Sequence, residues 1–111
     1  MKKIVISKIE NRFIERENMK KIYLVTYNIT DKNLYKELEE ELKKSENWWH
    51  YIENSWLILT QESPNEIWRR IEEKIDKKST VLIIEVKKNC QGWLPKNAWD
   101  WIKEKFGEID E

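Results

Sequence analysis

The residues best suited to ligand chemistry are concentrated in residues 48–60, which hold three of the seven tryptophans and the only histidine of the chain, His50. Planar indole rings can stack on a nucleobase, and an imidazole can donate a hydrogen bond to a phosphate or a base. A single histidine without a second His or Cys at ligand spacing is a poor metal site, so we expect no metal here. Each ring taken singly is more often packed in a core or an interface. Taken together, the rings predict an aromatic platform for a ligand.

The same stretch has the pattern of a β-hairpin. Two apolar, aromatic-rich runs, 48–52 and 55–60, are separated by two polar residues, the spacing of a tight turn. Adjacent residues of a strand face opposite sides, so Trp48 and Trp49 must point to different faces. We expect Trp49 to enter the core and Trp48, which shares its face with His50, to face the ligand.

Residues elsewhere could complete a site for a nucleotide-like ligand. Arg69 and Lys88 could meet a phosphate, although their basic pairs, 69–70 and 87–88, are more typical of solvated surface charges. The side-chain amides of Asn28 and Gln91 could form hydrogen bonds with the polar edges of a base. The candidate ligand-binding residues are Tyr27, Asn28, Trp48, His50, Trp56, Arg69, Lys88, Gln91 and Trp93.

Composition limits the classes of function that remain. The chain has 111 residues with 21 basic and 21 acidic side chains, which fits one domain without net charge. Such a chain has no overall field to recruit nucleic acid or an anionic membrane, so nucleic acid is the less favoured partner and no membrane association is expected. The single cysteine, Cys90, excludes an internal disulfide framework and favours a cytoplasmic location. No triad or carboxylate pair can be placed on defined elements, so no catalytic residue and no cofactor are predicted.

The first half of the compact region predicts a strand and a surface helix. Residues 21–29 are rich in aromatic and β-branched residues, with apolar groups on both alternating faces, which is typical of a central strand covered on both sides. Asp31 then offers an N-cap. Leu34, Leu38 and Leu42 recur four residues apart over a charged opposite face, which predicts a one-sided helix.

The second half predicts a helix, a strand and a Trp-rich C-terminal helix. Ser63 as N-cap with Glu66 three residues later forms a capping box, and the proline between them suits a first helical position. Residues 80–86 form a further apolar strand. The last helix is predicted to begin near Pro95 and to end at Gly107.

These elements follow the order of the ferredoxin-like βαββαβ sandwich, an α+β fold. In that fold both helices lie on one face of an antiparallel sheet, and the other face is open. Strands 21–29 and 80–86 are apolar on both sides, so the C-terminal helix or a second subunit must cover the open face. We therefore expect a homodimer or a higher oligomer.

An internal repeat predicts the domain boundary. The opening tetrapeptide Met-Lys-Lys-Ile recurs at residues 19–22. One reading is that residues 19–111 form the compact domain and that residues 1–18 are an accessory N-terminal arm. The alternative is that the first segment adds an extra edge strand.

Short motifs resemble two groups of known proteins. Tyr27-Asn28-Ile29 at a strand end and Asn54-Ser55-Trp56 entering a strand are similar to the small ferredoxin-like CRISPR-associated nucleases and their VapD-like relatives. Other motifs resemble more closely the bacterial and phage proteins labelled SinR-family. These motifs are Trp48-Trp49-His50-Tyr51, Ser55-Trp56-Leu57-Ile58, Gly92-Trp93-Leu94-Pro95 and Trp99-Asp100-Trp101.

The nuclease resemblance implies a divalent metal held by aspartates at the end of the first strand, one from each subunit of a dimer. This chain has Asn28 at the matching position, and a neutral amide is a weaker ligand for a hard cation than a carboxylate. We therefore interpret the chain as a non-catalytic oligomeric binding protein with an aromatic pocket for a nucleotide-like ligand, such as a phage anti-defence protein that sequesters a nucleotide signal. The alternatives are a metal-dependent nuclease of the CRISPR-associated type and a protein-interaction module.

Overall fold

A computed structural model describes residues 19–109 of the 111-residue chain. These residues form an α+β domain on a four-stranded antiparallel sheet of order β2-β3-β1-β4, and the elements follow a βαββαβ-like order with a helix added at the C-terminal end. The predicted N-terminal arm, residues 1–18, lies outside the described residues. The strands are β1 (Lys21–Asn28), β2 (Asn47–Trp49), β3 (Ser55–Thr60) and β4 (Thr80–Glu85), and the helices are α1 (Tyr35–Leu42), α2 (Pro64–Ile71) and α3 (Lys96–Ile109).

Strand β1 lies in the middle of the sheet because its sequence can be buried on both faces. It pairs antiparallel with β3 on one side and with β4 on the other. Its side chains alternate between the faces, so Tyr23, Val25 and Tyr27 reach one hydrophobic core while Ile22 reaches another. The predicted central strand is confirmed.

The first hydrophobic core lies between the sheet and helices α1 and α2. Helix α1 buries Leu38 and Leu42, and α2 buries Ile67 and Ile71. Each pair is four residues apart and forms a single apolar stripe. Both stripes lie in one core with Trp56 of β3, which is fully buried. The aromatic hairpin therefore supplies the largest side chain of this core.

Local capping contacts begin the two helices of that core. Ser63 Oγ accepts from the Glu66 backbone N–H at 3.2 Å, and Glu66 Oε1 accepts from the Ser63 N–H at 2.9 Å, so the predicted capping box is confirmed. Asp31 also caps as predicted, accepting from the Asn33 N–H at 3.0 Å. It caps a 3₁₀ turn, Lys32–Leu34, that leads into α1.

Arg70 ties α2 to the end of α1. Its guanidinium donates to the Glu41 carbonyl at 2.6 Å, to Ser45 Oγ at 2.8 Å and to the Glu62 carboxylate at 3.0 Å. The expectation of a solvated charge is therefore wrong for Arg70, whereas Arg69 is exposed. Arg70 lies within reach of these groups only because the two helices pack side by side, which helical periodicity does not reveal.

Helix α3 covers one end of the opposite sheet face. The second hydrophobic core consists of Ile22, Leu59, Ile102 and Phe106. Trp101 adds a hydrogen bond from Nε1 to Asn47 Oδ1 at 3.0 Å, which ties α3 to β2. The helix continues through Gly107, so the predicted stop there is wrong; a helical glycine costs about 1 kcal/mol, which the packing of this last turn offsets.

The hairpin between β2 and β3 is present, but its turn is wider than predicted. Strand β2 ends at Trp49, and residues 50–54 connect it to β3. His50 leaves the ladder and donates from Nδ1 to the Ser55 carbonyl at 3.0 Å, and the Ser55 N–H closes the turn by donating to the Ile52 carbonyl at 3.0 Å. The predicted two-residue turn is therefore wrong.

Strand register decides which tryptophan faces which core. Trp48 lies opposite Ile58, on the face of α1 and α2, and Trp49 lies opposite Leu57, on the face of α3. The expectation that Trp49 enters the helix-side core is therefore wrong. The pairing begins at Asn47, and this start point sets the face of every later residue of the strand.

Candidate functional site

Three rings form an aromatic cluster, Trp48, His50 and Trp56, at the hairpin end of the first core. The His50 ring lies parallel to Trp56, with centroids 4.2 Å apart and an interplanar angle of 7°. Trp48 contacts Trp56 at 5.1 Å between centroids, tilted by 48°. Trp56 is 0% exposed and Trp48 is 37% exposed. The cluster therefore runs from the core to solvent, and Trp48 is the ring that a ligand can reach.

Hydrogen bonds hold the inner rings in place. Trp56 Nε1 donates to the Tyr27 hydroxyl at 2.9 Å. The bond from His50 Nδ1 to the Ser55 carbonyl requires a proton on Nδ1, and it turns Nε2 towards Glu39 Oε2 at 3.6 Å. Rings fixed in this way lose little freedom when a ligand binds, which favours affinity.

Tyr27 supports the cluster from below and does not line its surface. Burial raises the pKa of Tyr27 to about 12, against the hydrogen bond from Trp56, which lowers it. The phenol is therefore neutral at physiological pH and accepts the indole N–H. Its ring also meets Tyr35 of α1 edge-on at 5.9 Å, and the Tyr35 hydroxyl donates to Asn54 Oδ1 at 2.6 Å. The turn of the hairpin is thereby fastened to α1.

Helix α1 and the residue that caps its C-terminal end bring two charged side chains to the cluster, and the sequence patterns did not predict this contact. Lys43 Nζ lies 5.8 Å from the centre of the Trp48 ring, a cation–π distance, and Glu39 faces His50. Glu39 and Lys43 are four residues apart, so both project from one side of the helical turn. That spacing is visible in the sequence, but the contact between α1 and the hairpin is tertiary.

The other candidate residues lie elsewhere on the molecule. Asn28 is exposed at the end of β1, on the sheet face opposite the cluster. Arg69 is exposed on α2, and Lys88 follows β4 at the sheet edge opposite β2. Gln91 is exposed in the loop before α3, and Trp93 in the same loop is 100% exposed. The candidates that the fold brings together are Tyr27, Trp48, His50 and Trp56.

A second feature is a partly exposed apolar row on the α3 face of the sheet. The row is formed by Trp49, Leu57, Leu24 and Ile84, which the register aligns across all four strands. Ile84 is 47% exposed, and Leu82, two residues earlier on the same face, is 53% exposed. The second core under α3 takes in Ile22 and contacts Leu57 of the row, whereas the β4 end of the row stays half exposed.

Aromatic residues of the hairpin extend the row. Trp49 stacks with Tyr51 at 5.9 Å between centroids and 25° between planes, and Tyr51 and Ile52 are exposed. Large exposed apolar patches mark interaction sites, and tryptophan and tyrosine are enriched at the centres of interfaces. This surface is therefore a candidate protein interface.

Comparison of the chain with protein-family models, curated proteins and solved structures found no match. Within residues 19–109, no group of three or more His, Cys, Asp and Glu side chains lies close enough to hold a metal ion. None of the helices in the described range is long and apolar enough to cross a membrane. The aromatic cluster and the apolar row are therefore the features on which a function can rest.

Proposed function

We propose that this protein is a non-catalytic, self-associating binding protein of the ferredoxin-like type whose aromatic hairpin holds a nucleotide-like ligand. The observation that carries the proposal is the partly exposed ring of Trp48, backed by the buried Trp56 and accompanied by Lys43. Stacking of a base on such a ring contributes about 1–3 kcal/mol and accepts any base.

A nucleotide would use three neighbouring groups of this site. Its base stacks on Trp48 and moves the Lys43 ammonium off the ring, which then meets the phosphate. Losing an exposed cation–π contact costs about 0.5–1 kcal/mol, which is less than stacking returns. Glu39, on the same side of α1, accepts hydrogen bonds from ribose hydroxyls. The ligand expected is therefore a nucleotide with free ribose hydroxyls.

Isothermal calorimetry with AMP tests this site. Trp48→Ala should weaken binding roughly 5- to 150-fold, the equivalent of one stacked base. Trp68→Ala is the matched control, because Trp68 on α2 is 38% exposed, against 37% for Trp48, and lies outside the cluster. Equal losses in the two variants, or no saturable heat with the wild-type protein, would contradict the proposal.

The apolar row supports a second candidate function, that of a protein-interaction module. We propose that its occupant is a second copy of the chain. The row crosses the whole sheet, so two copies can bury it face to face about a two-fold axis. The chain carries no net charge, so long-range repulsion does not oppose the pairing. In a pure interaction module the dimer forms and AMP does not bind.

A further inference from the structure

A cleft lies at the sheet edge away from the hairpin, between the start of β1, the end of β4 and the last turn of α3. Its volume is about 570 Å³, and small-molecule sites are commonly about 300–1,000 Å³. None of the residues assigned to the aromatic cluster lines it. The cleft is therefore a separate feature of the molecule.

The floor of the cleft is apolar and well anchored. Phe106 is buried in the second core, with Val86 and Ile109 packed against that core. Val86 also donates its backbone N–H to the Ile22 carbonyl at 3.0 Å, which extends the sheet ladder under the cleft. A ligand group lying here would meet a fixed hydrocarbon surface.

The rim of the cleft is basic. Its lysines are Lys20, Lys21, Lys87 and Lys88. One carboxylate, Glu85, lies among them, 2.8 Å from Lys87 and 3.7 Å from Lys21. The hydrogen bond from Lys87 and the charge of Lys21 hold the pKa of Glu85 below its usual value, so it stays ionised and offsets a single positive charge. Lys20 pairs with Glu46, outside the cleft.

Lys88 is the rim residue best placed for a ligand. It is exposed and, within residues 19–109, forms no ion pair. Positive charges close to a low-dielectric floor attract an anion. If that anion carries an apolar group, the burial of this group on the floor adds to the binding free energy. Neither the basic rim nor the apolar floor suits a neutral sugar or a cation.

We propose that this cleft binds a small amphipathic anion, that is, an apolar group carrying one acidic head. The apolar group lies on Val86, Phe106 and Ile109, and the head meets Lys88 and its neighbours on the rim. Carboxylate and phosphate heads share this chemistry. The proposal is independent of the nucleotide site, which lies at the other end of the sheet.

The probe is octanoate, titrated into the full chain and followed by backbone amide NMR. Saturable shifts should be concentrated at 86–89, the segment that borders the cleft. Octanol lacks the charge and inorganic phosphate lacks the apolar body, so each should bind more weakly than octanoate. Octyl phosphate carries an alkyl chain like that of octanoate, and it therefore distinguishes a phosphate head from a carboxylate head. Raising the salt concentration should weaken octanoate binding, because Lys87 and Lys88 of the rim are exposed.

Charge reversal locates the head group. Lys88→Glu should weaken octanoate binding roughly tenfold, whereas Lys36→Glu, at an exposed position of α1 far from the cleft, changes the net charge equally and should have little effect. Melting curves of both variants confirm that they are folded. Equal losses in the two variants, equal binding of octanol and octanoate, or shifts concentrated at Leu82 and Ile84 would overturn the proposal.

Discussion

A single hydrogen bond, from Trp56 Nε1 to the Tyr27 hydroxyl, joins two buried aromatic residues beneath the candidate ligand site. Tyr27→Phe leaves the indole N–H without its acceptor in a place that water cannot reach. We expect a loss of about 1–3 kcal/mol in the free energy of unfolding, the usual cost of an unsatisfied buried donor. Denaturant melts measure it.

Tyr23→Phe is the control for that variant. Tyr23 lies on the same face of β1 and is also buried, but it does not hold an indole. Removing the Tyr23 hydroxyl should lower the free energy of unfolding by less than removing the Tyr27 hydroxyl does. Equal costs would mean that the bond to Trp56 contributes nothing specific.

Acid should weaken the fold through Asp76. Its carboxylate accepts from Thr30 Oγ1 at 2.7 Å, Lys78 N–H at 2.9 Å and Ser79 Oγ at 3.0 Å. These bonds, led by that of Thr30, lower the pKa of Asp76. In the unfolded chain the pKa of an aspartate is about 4, so the lower pKa of folded Asp76 stabilises the fold above about pH 4. This stability is lost as the pH falls through the pKa of the folded state.

Asp76→Asn should therefore be less stable than the wild-type protein at pH 7, and the gap should narrow below about pH 4. Denaturant midpoints at several pH values measure the gap. Glu40→Gln removes a carboxylate at an exposed position of α1, away from Asp76. Its difference in stability from the wild-type protein should not narrow at low pH. A gap that is constant with pH would count against the account of Asp76.

At the scale of elements, the start of α2 depends on its capping box. Ser63→Ala removes the acceptor of the Glu66 N–H, and we expect a loss of about 1 kcal/mol. Asn65→Ala, in the same first turn and exposed, should change the denaturant midpoint much less. An unchanged midpoint for Ser63→Ala would show that the cap contributes no stability.

Features that depend on contacts within one turn or one helix could be predicted from the sequence. Features that depend on contacts with another helix or strand could not. The capping box of Ser63 and the stripe of Leu38 and Leu42 lie within one turn or one helix, where spacing alone determines the contact. The face of Trp49 depends on where β2 begins to pair with β3, a long-range choice. The end of α3 depends on packing against the sheet, which overrides the helix-stopping tendency of Gly107.

The candidate site divides in the same way. Trp48, His50 and Trp56 come from one hairpin and were predicted together. Glu39 and Lys43 reach the cluster only because α1 packs beside that hairpin. Sequence patterns give the face of a helix but not the neighbour that this face meets.

The apolar row predicts that the molecule self-associates. Ile84→Lys places a charge at the β4 end of the row, at a side chain already half exposed, and should produce a folded monomer. Asn65→Lys adds the same charge on α2 and should leave the assembly unchanged. Light scattering measures the mass of each variant. A wild-type monomer at micromolar concentration would exclude the interface.

Native mass spectrometry of the wild-type protein, with and without AMP, tests self-association and nucleotide binding together, because one spectrum reports both the number of copies and the bound ligand. We expect a dimer with mass increments of one nucleotide per copy. Trp48→Ala should stay dimeric and should show smaller increments than the wild-type protein at the same AMP concentration. A wild-type spectrum with no nucleotide increment, at AMP concentrations that saturate ordinary nucleotide sites, would rule out the nucleotide site.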